Sequence, residues 1–435
     1  MIRPRKYLER FRNPFSAFII LFFVLQSVNA KDEESQNHPT PLPFDELSAF
    51  ADAYNRIKSV YVEDVDDKKL LEGAIAGMMA ALDPHSSFLD SSAFTDLQSS
   101  TKGEYGGLGI EVAPDSGFIK IVSPMENTPA ERSGILAGDL IIKIDDFSVK
   151  DVPLGQAIEK MRGKIGDPVL LTIVRKGIES PIDIEVVRDV IKVTSVRGEL
   201  LGDDYGYVKI NQFQHKTGED FRQKLANLQE LNKKTLKGLI LDLRNNPGGV
   251  LSAAVDVSDA LLKEGIIVST RGRAKESASI MHAKPDDLMS NAPIVVLINN
   301  GSASGSEIVA GALQDNKRAL IVGTRSFGKG SVQTLLPIHG DAALKLTTAR
   351  YYTPSGHSIQ GEGIVPDIET PLGKWVVEDT ESAVFESDLP GSLSNDTNPN
   401  KIVAGVYDNP LVKSDSQIKE AVHLLKGYTL LSFKN

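Results

Sequence analysis

Three residues within one stretch have the types and spacing for acyl transfer: Ser304, Lys329 and Gln333. Ser304 lies where a buried-strand pattern, Ile294 to Ile298, passes through a small-residue turn at 299–303 into a helical pattern. That helical pattern puts Ile308, Val309, Ala312 and Leu313 on one face. At such a junction the amide of Gly305 is free to donate and the helix dipole favours negative charge, so an oxyanion hole can form beside a nucleophilic serine. The stretch holds no histidine and the chain no cysteine, which leaves Lys329 as the candidate base. It stands between Gly328 and Gly330, which let the backbone turn the amine back toward Ser304. A lysine acts as a base only when it is neutral, which requires a pocket of low dielectric. Gln333 offers a neutral polar partner that orients the amine without fixing its proton, as a carboxylate would.

Two simpler uses of these residues exist. Small residues such as SASGS commonly do no more than cap a helix. Residues 323–329, GTRSFGK, also match a G-x-x-x-x-G-K phosphate loop. That loop needs Ser or Thr after its lysine and a helix beyond. Here Gly330 follows, then the β-like SVQTLLP ending in proline, which excludes it.

The segments NGSASGSEIVAGALQD and GTRSFGKGSVQ resemble the carboxy-terminal processing peptidases, or tail-specific proteases, a family of PDZ-containing serine peptidases. The resemblance implies Ser304 as nucleophile, Lys329 as base and Gln333 as the partner of the base. It also implies that the segment DLRNNPGG, residues 242–249, supplies a second oxyanion donor, Gly248 or Gly249, and leaves the choice open. The core implied is the layered α/β fold of crotonase-like enzymes, with no cofactor and no metal. No metal-ligand spacing is found in the chain.

The flanking segments fit that reading. In residues 1–30, Arg3, Arg5, Lys6, Arg10 and Arg12 precede the apolar run FSAFIILFFVL, and Val28-Asn29-Ala30 offers small residues for cleavage. The run is short for a membrane span, so a cleaved signal peptide and a periplasmic destination are expected, with an inner-membrane anchor facing the periplasm as the alternative. Its removal takes away five basic residues and one acidic one, moving the net charge from −10 to −14. So acidic a chain is unsuited to nucleic acid or anionic lipid.

Residues 31–98 read as a linker and an N-terminal helical region. Leu47, Phe50, Tyr54, Ile57 and Tyr61 recur at spacings of 3 and 4, and KKLLEGAIAGMMAAL gives a second helix. The spacing suits packing on the helix's own domain and also a contact between molecules. The loop DPHSSFLD follows, with His85 expected to be structural. Residues 99–190 change to short strands with turn signals and resemble a PDZ domain. Gly107, Leu108, Gly109 and Ile110 match its carboxylate-binding loop, whose amides converge on a chain terminus while the next strand offers an edge for β-augmentation.

Residues 191–372 form the expected peptidase core, an α/β region with the PDZ domain inserted ahead of it. Within the core, 265–290 lacks periodicity and reads as a mobile flap. Asp315 reads as half of an ion pair. His357, in a glycine-serine turn, is a poor rival base. Residues 373–435 read as an acidic linker and a last helix with Ile418, Ala421, Val422 and Leu425 on one side.

The expectation is therefore an exported serine endopeptidase that recognises free, apolar protein C-termini through its PDZ domain and cleaves with a Ser–Lys dyad. The alternative from another class is a PDZ-based binding or scaffold protein with an inactive protease core. The resemblance allows a lipoprotein adaptor or a homo-oligomer as further partners, and no residue selects either.

Overall fold

The structure, a computed structural model, describes residues 42–202, 204–373, 389–393 and 406–432. The basic and apolar segment at 1–30 and most of the acidic linker lie outside these residues. Residues up to Asp66 and residues from Asp67 form two compact units. In the first, α1 (Phe44–Val60) starts after Pro43, with Asp45 and Glu46 in its first turn and Lys58 in its last, matching the helix dipole. It buries none of its residues.

The second unit opens with α2 (Asp67–Ala80), the short strand β1 (Ser87–Leu89) and α3 (Ser91–Lys102). Asp90 caps α3 through the amide of Ala93, and Gly103 ends it in the left-handed conformation. Two strands then bracket the PDZ domain: β2 (Glu104–Gly107) leads in and pairs antiparallel with a strand that leads out.

Between them lie β3 (Ile110–Asp115), β4 (Phe118–Pro124), the single turn α4 (Pro129–Arg132), β5 (Leu140–Ile144), β6 (Phe147–Ser148), α5 (Leu154–Met161), β7 (Pro168–Val174) and β8 (Ile182–Val187). The outgoing strand is β9 (Asp189–Lys192). The sheet order is β3-β4-β5-β7-β8, so β3 is an edge strand. Alternate residues of these strands, among them Ile119, Ile121, Ile141, Leu171 and Ile173, fill a separate apolar core.

The peptidase region contains two sheets. The first runs β10 (Val196–Leu201), β11 (Tyr205–Ile210), β12 (Gly238–Asp242), then three strands further along the chain. Between these come α6 (Thr217–Asn232), α7 (Leu251–Asp259), β13 (Ile266–Gly272) and β14 (Ser279–His282). The next strand, β15 (Ile294–Ile298), pairs parallel with β12. Then α8 (Gly305–Asp315) leads to β16 (Leu320–Gly323), parallel to β15. All five residues of β12 and of β15 are buried, as expected of inner strands covered on both faces.

The alternation divides them cleanly. Leu239, Leu241, Ile294, Val296 and Ile298 join α6, α7 and α8 in one core, while Ile240, Val295 and Leu297 meet the C-terminal helix in another. The second sheet is built on a hairpin of β17 (Ser331–Ile338) and β18 (Ala342–Tyr352), with β13 and β1 on β18 and β14 on β13. The chain returns to the first sheet as β19 (Ile368–Glu369) and continues to α9 (Pro410–Ser414) and α10 (Ser416–Ser432). The four residues expected on the inner side of α10 are all buried.

Two expectations are corrected. Residues 265–290 are not a flap: β13 and β14 pair with each other, and β13 with β18, so the backbone is satisfied inside a sheet. Asp315 makes no ion pair among the described residues and accepts the amide of Ser355 at 2.9 Å. The peptidase sheet begins with β10, inside the expected 191–372 and antiparallel to β11.

Candidate active site

Two turns meet at the carboxyl ends of the adjacent parallel strands β12 and β15, where open α/β sheets present their ligands. The turn after β12 is Arg244 to Gly249. Asn246 organises it: its Nδ2 donates to the Ile210 carbonyl, its Oδ1 accepts the Gly248 amide at 2.9 Å, and its carbonyl accepts the Ala303 amide and the Ser306 hydroxyl. Arg244 is buried against Asp242 at 2.7 Å and Asp415 at 2.9 Å, tying the strand end to the segment before α10. Its charge is therefore committed to structure.

The turn after β15 delivers Ser304, which precedes the first residue of α8 and is 7% exposed. Its backbone has φ 53° and ψ −108°. That strained conformation, worth on the order of 1–3 kcal/mol, is what a sharp strand-to-helix nucleophile turn imposes. Among the described residues the amides of Gly305 and Gly249 have no acceptor, whereas that of Gly248 is taken by Asn246. Gly248 sits at φ 97°, and a Cβ added there would lie 2.8 Å from Ser304 Cβ and 2.9 Å from the Gly305 nitrogen. The Asn246 turn and the serine turn are thus packed backbone against backbone.

The loop from Gly323 to Gly330 carries Lys329. It runs from strand β16 into strand β17 with no helix, in keeping with the exclusion of a phosphate loop. One fully buried carboxylate fixes it. Glu307, three residues into α8, accepts the amide of Ser304 at 2.8 Å, of Lys329 at 2.9 Å and of Gly328 at 2.6 Å, together with the Ser326 hydroxyl. Glu307 was not singled out from sequence, although S-x-x-E at 304–307 has the spacing of a helix capping box.

Burial holds the Lys329 ammonium below the usual lysine range, and the charge of Lys345 adds to that; Glu307 and Asp83 oppose it. His85 is likewise lowered by burial and then by the charge of Lys329. The phenol of Tyr351 is pushed up to about 12 by burial, and its hydrogen bond with Ser304 opposes that rise. Tyr351 was also missed, since its strand lies in the other sheet. No hydrogen bond among the described residues joins the Lys329 amine to Ser304. His357 pairs with Glu362 at 3.0 Å in an exposed turn and makes no hydrogen bond to Ser304 or Lys329 among the described residues.

Gln333 lies on β17, where the register skips Thr348 so that Gln333 faces Thr347. Its Nε2 donates to Ser331 Oγ at 2.9 Å and to Thr347 Oγ1 at 3.3 Å.

The PDZ residues form a separate site. Gly107, Leu108, Gly109 and Ile110 line a pocket of about 240 Å³ with Ile158 and Met161 of α5. Gly109 has φ 78°, and a Cβ there would lie 2.3 Å from the Cβ of Thr128. The pocket lining also takes in Val112 of the edge strand β3, with Tyr105 and Arg162.

Residues 22–93 match the N-terminal domain of the activating protease CtpB, 106–186 match a PDZ domain, and 204–370 match peptidase family S41. A carboxy-terminal-processing protease of Bartonella bacilliformis is 46% identical over 94% of this chain and 93% of its own length. The carboxy-terminal processing protease CtpA of Bacillus subtilis is 36% identical over 76% of this chain and 69% of its own. A solved photosystem II D1 C-terminal processing protease is 30% identical, covers 75% of this chain and 88% of its own, and has a TM-score of 0.46. With that identity sustained along nearly its whole length, the chain belongs to the carboxy-terminal processing proteases, the PDZ-containing serine peptidases of family S41.

Proposed function

We propose that this peptidase cleaves protein chains with a Ser304–Lys329 dyad after its PDZ domain has taken hold of a free, apolar C-terminus. The observation that carries the reading is the shared carboxylate. Glu307 accepts the amides of both Ser304 and Lys329, so the two residues are held to one anchor although 25 positions separate them.

The chemistry follows as acyl transfer. The neutral Lys329 amine takes the proton from Ser304 Oγ as the oxygen bonds to the scissile carbonyl carbon. The oxyanion then forms against the Gly305 and Gly249 amides, the two donors left without acceptors. The ammonium returns its proton to the departing amine as the peptide bond breaks. A water, deprotonated by the same amine, releases the acyl group from Ser304. Catalysis requires the amine and Oγ to close to about 2.6–3.2 Å, with Tyr351 giving up its hold on the serine. Gln333 orients the amine.

The order of residues 1–30, basic, then apolar, then small, supports export, with the periplasm as the site of action. Substrates are protein chains. An adaptor or a second copy of the chain would act through other surfaces.

Incubation with an unfolded test protein, beside Ser304→Ala, Lys329→Ala, Lys329→Arg and His357→Ala, tests the assignment. The first three should lose turnover and the last should keep it. Arginine fails because it stays charged. Turnover by Lys329→Ala would end the dyad reading.

A further inference from the structure

We propose that Asp83 is a positioning residue for the active site, acting through the hydroxyl of Thr347 to set which way the Gln333 carboxamide points. The inference rests on the Ser304–Lys329 reading and extends it to a loop outside the peptidase sheets.

Donor direction along the chain of bonds fixes the carboxamide. Asp83 accepts the amides of His85 at 2.9 Å and Ser86 at 3.2 Å. It also accepts the hydroxyls of Ser86 at 2.5 Å and Thr347 at 3.1 Å. Those bonds hold the Asp83 carboxyl below the usual carboxylate range even though burial pushes it up. An ionised carboxylate has no proton to give. The single proton of the Thr347 hydroxyl therefore goes to Asp83, and toward Gln333 the same oxygen can only accept. That forces the Nε2 end of Gln333 to face Thr347 Oγ1 at 3.3 Å, with its second donor on Ser331 Oγ at 2.9 Å. The carboxamide oxygen, without a partner among the described residues, is left as the acceptor for the lysine ammonium formed during acylation.

An amide alone can flip, since its oxygen and nitrogen are nearly alike in shape. The carboxylate at the far end of the chain of bonds removes that freedom. The backbone agrees with the side chains: Ser86 Oγ accepts the Thr347 amide at 3.1 Å, and β1 pairs with β18. The loop is thus fastened to the strand that carries Thr347 through side chains and backbone alike.

The test uses the full chain and steady-state cleavage of a protein substrate at high pH, where Lys329 is neutral in every variant and titration does not enter. Thr347→Val keeps the shape and removes the hydroxyl; Thr347→Ser keeps the hydroxyl; Asp83→Asn supplies a donor where an acceptor is needed. We expect Thr347→Val and Asp83→Asn each to lower kcat on the order of 10–100-fold at unchanged KM. Thr347→Ser should recover the greater part of that loss. The double variant should be no worse than either single one, because both break the same chain of bonds.

Wild-type kcat in Thr347→Val, or multiplying losses in the double variant, would overturn the proposal. Thermal unfolding of each variant guards against misreading a fold defect. If Asp83→Asn does not fold, the comparison of Thr347→Val with Thr347→Ser decides alone. Lys329→Ala separates the two levels. If it is inactive while Thr347→Val is normal, the relay is wrong and the dyad stands. If it is active, the underlying reading has failed.

Discussion

Glu307 Oε2 accepts the backbone amide of Lys329 at 2.9 Å, from a helix position only three residues after Ser304. The same oxygen accepts the Ser304 amide at 2.8 Å, and Oε1 takes the Gly328 amide and the Ser326 hydroxyl. A buried carboxylate with four donors is well satisfied, so its removal leaves those donors orphaned. Glu307→Ala should therefore cost on the order of 3 kcal/mol of stability and abolish turnover, even where the protein still folds. Glu307→Gln, which can accept only through one oxygen, should fall between. Thermal unfolding and cleavage assays on the two variants check this. Full activity in Glu307→Ala would show that the lysine loop keeps its place without the carboxylate.

A second expectation concerns pH. Burial and then the charge of Lys345 hold Lys329 below its usual range, and in the proposed dyad the reactive form is the neutral amine. kcat/KM should therefore rise with pH through the lowered pKa. Lys345→Gln removes a neighbouring cation, raises that pKa and should move the rising limb to higher pH. In the window between the folded pKa and the unfolded value, near 10.4, the unfolded chain binds the extra proton, so this lysine's contribution to stability improves as pH rises. Lys329→Met should then be inactive yet more heat-resistant than the wild type near neutral pH. A limb that does not move in Lys345→Gln would assign the titration to another group.

How far the sequence carries depends on whether a feature is local. The Ser304 turn was legible because an apolar strand run, small residues and a helical period follow one another within twenty positions. The flanking glycines of Lys329 and the GLGI loop of the PDZ domain were legible for the same reason. Glu307 was half visible: S-x-x-E announces the cap, but nothing nearby announces that the carboxylate also takes amides from the lysine loop. Asp83 was not visible at all as a site residue, since it meets Thr347 across 264 positions through a three-residue strand. Residues 265–290 misled because β13 has no period of its own and is fixed by pairing with β18, far along the chain. Gly248 and Gly249 look alike in sequence, and the structure adds only that the Asn246 side chain takes the Gly248 amide, which is why Gly249 is the donor proposed.

The last expectation concerns what the PDZ domain reads. The pocket at Gly107 to Ile110 is lined by Val112, Ile158 and Met161 together with Tyr105 and Arg162, and takes in residues of the edge strand β3. On a chain of net charge −10, carboxylates are not attracted from a distance, so affinity has to come from local groups: amides, the Arg162 guanidinium, strand pairing and apolar contact. Peptides ending in a free carboxylate after small or apolar residues should be cleaved fastest. Amidating that terminus removes the charge the amides would bind, and replacing the last residues by aspartate puts charge into an apolar pocket; both should slow cleavage by tenfold or more, about 1.4 kcal/mol of lost binding. Gly109→Val should act alike, because a Cβ there meets Thr128 at 2.3 Å and φ is 78°, which a β-branched residue tolerates poorly. If the domain only binds tails, that variant still reacts at Ser304 with a small acylating probe; if it also assembles the active site, the probe reaction falls too. Matched free-acid and amide peptides decide the main question. Equal rates for the pair would mean that the domain does not read chain ends and that selection happens at the cleavage site itself.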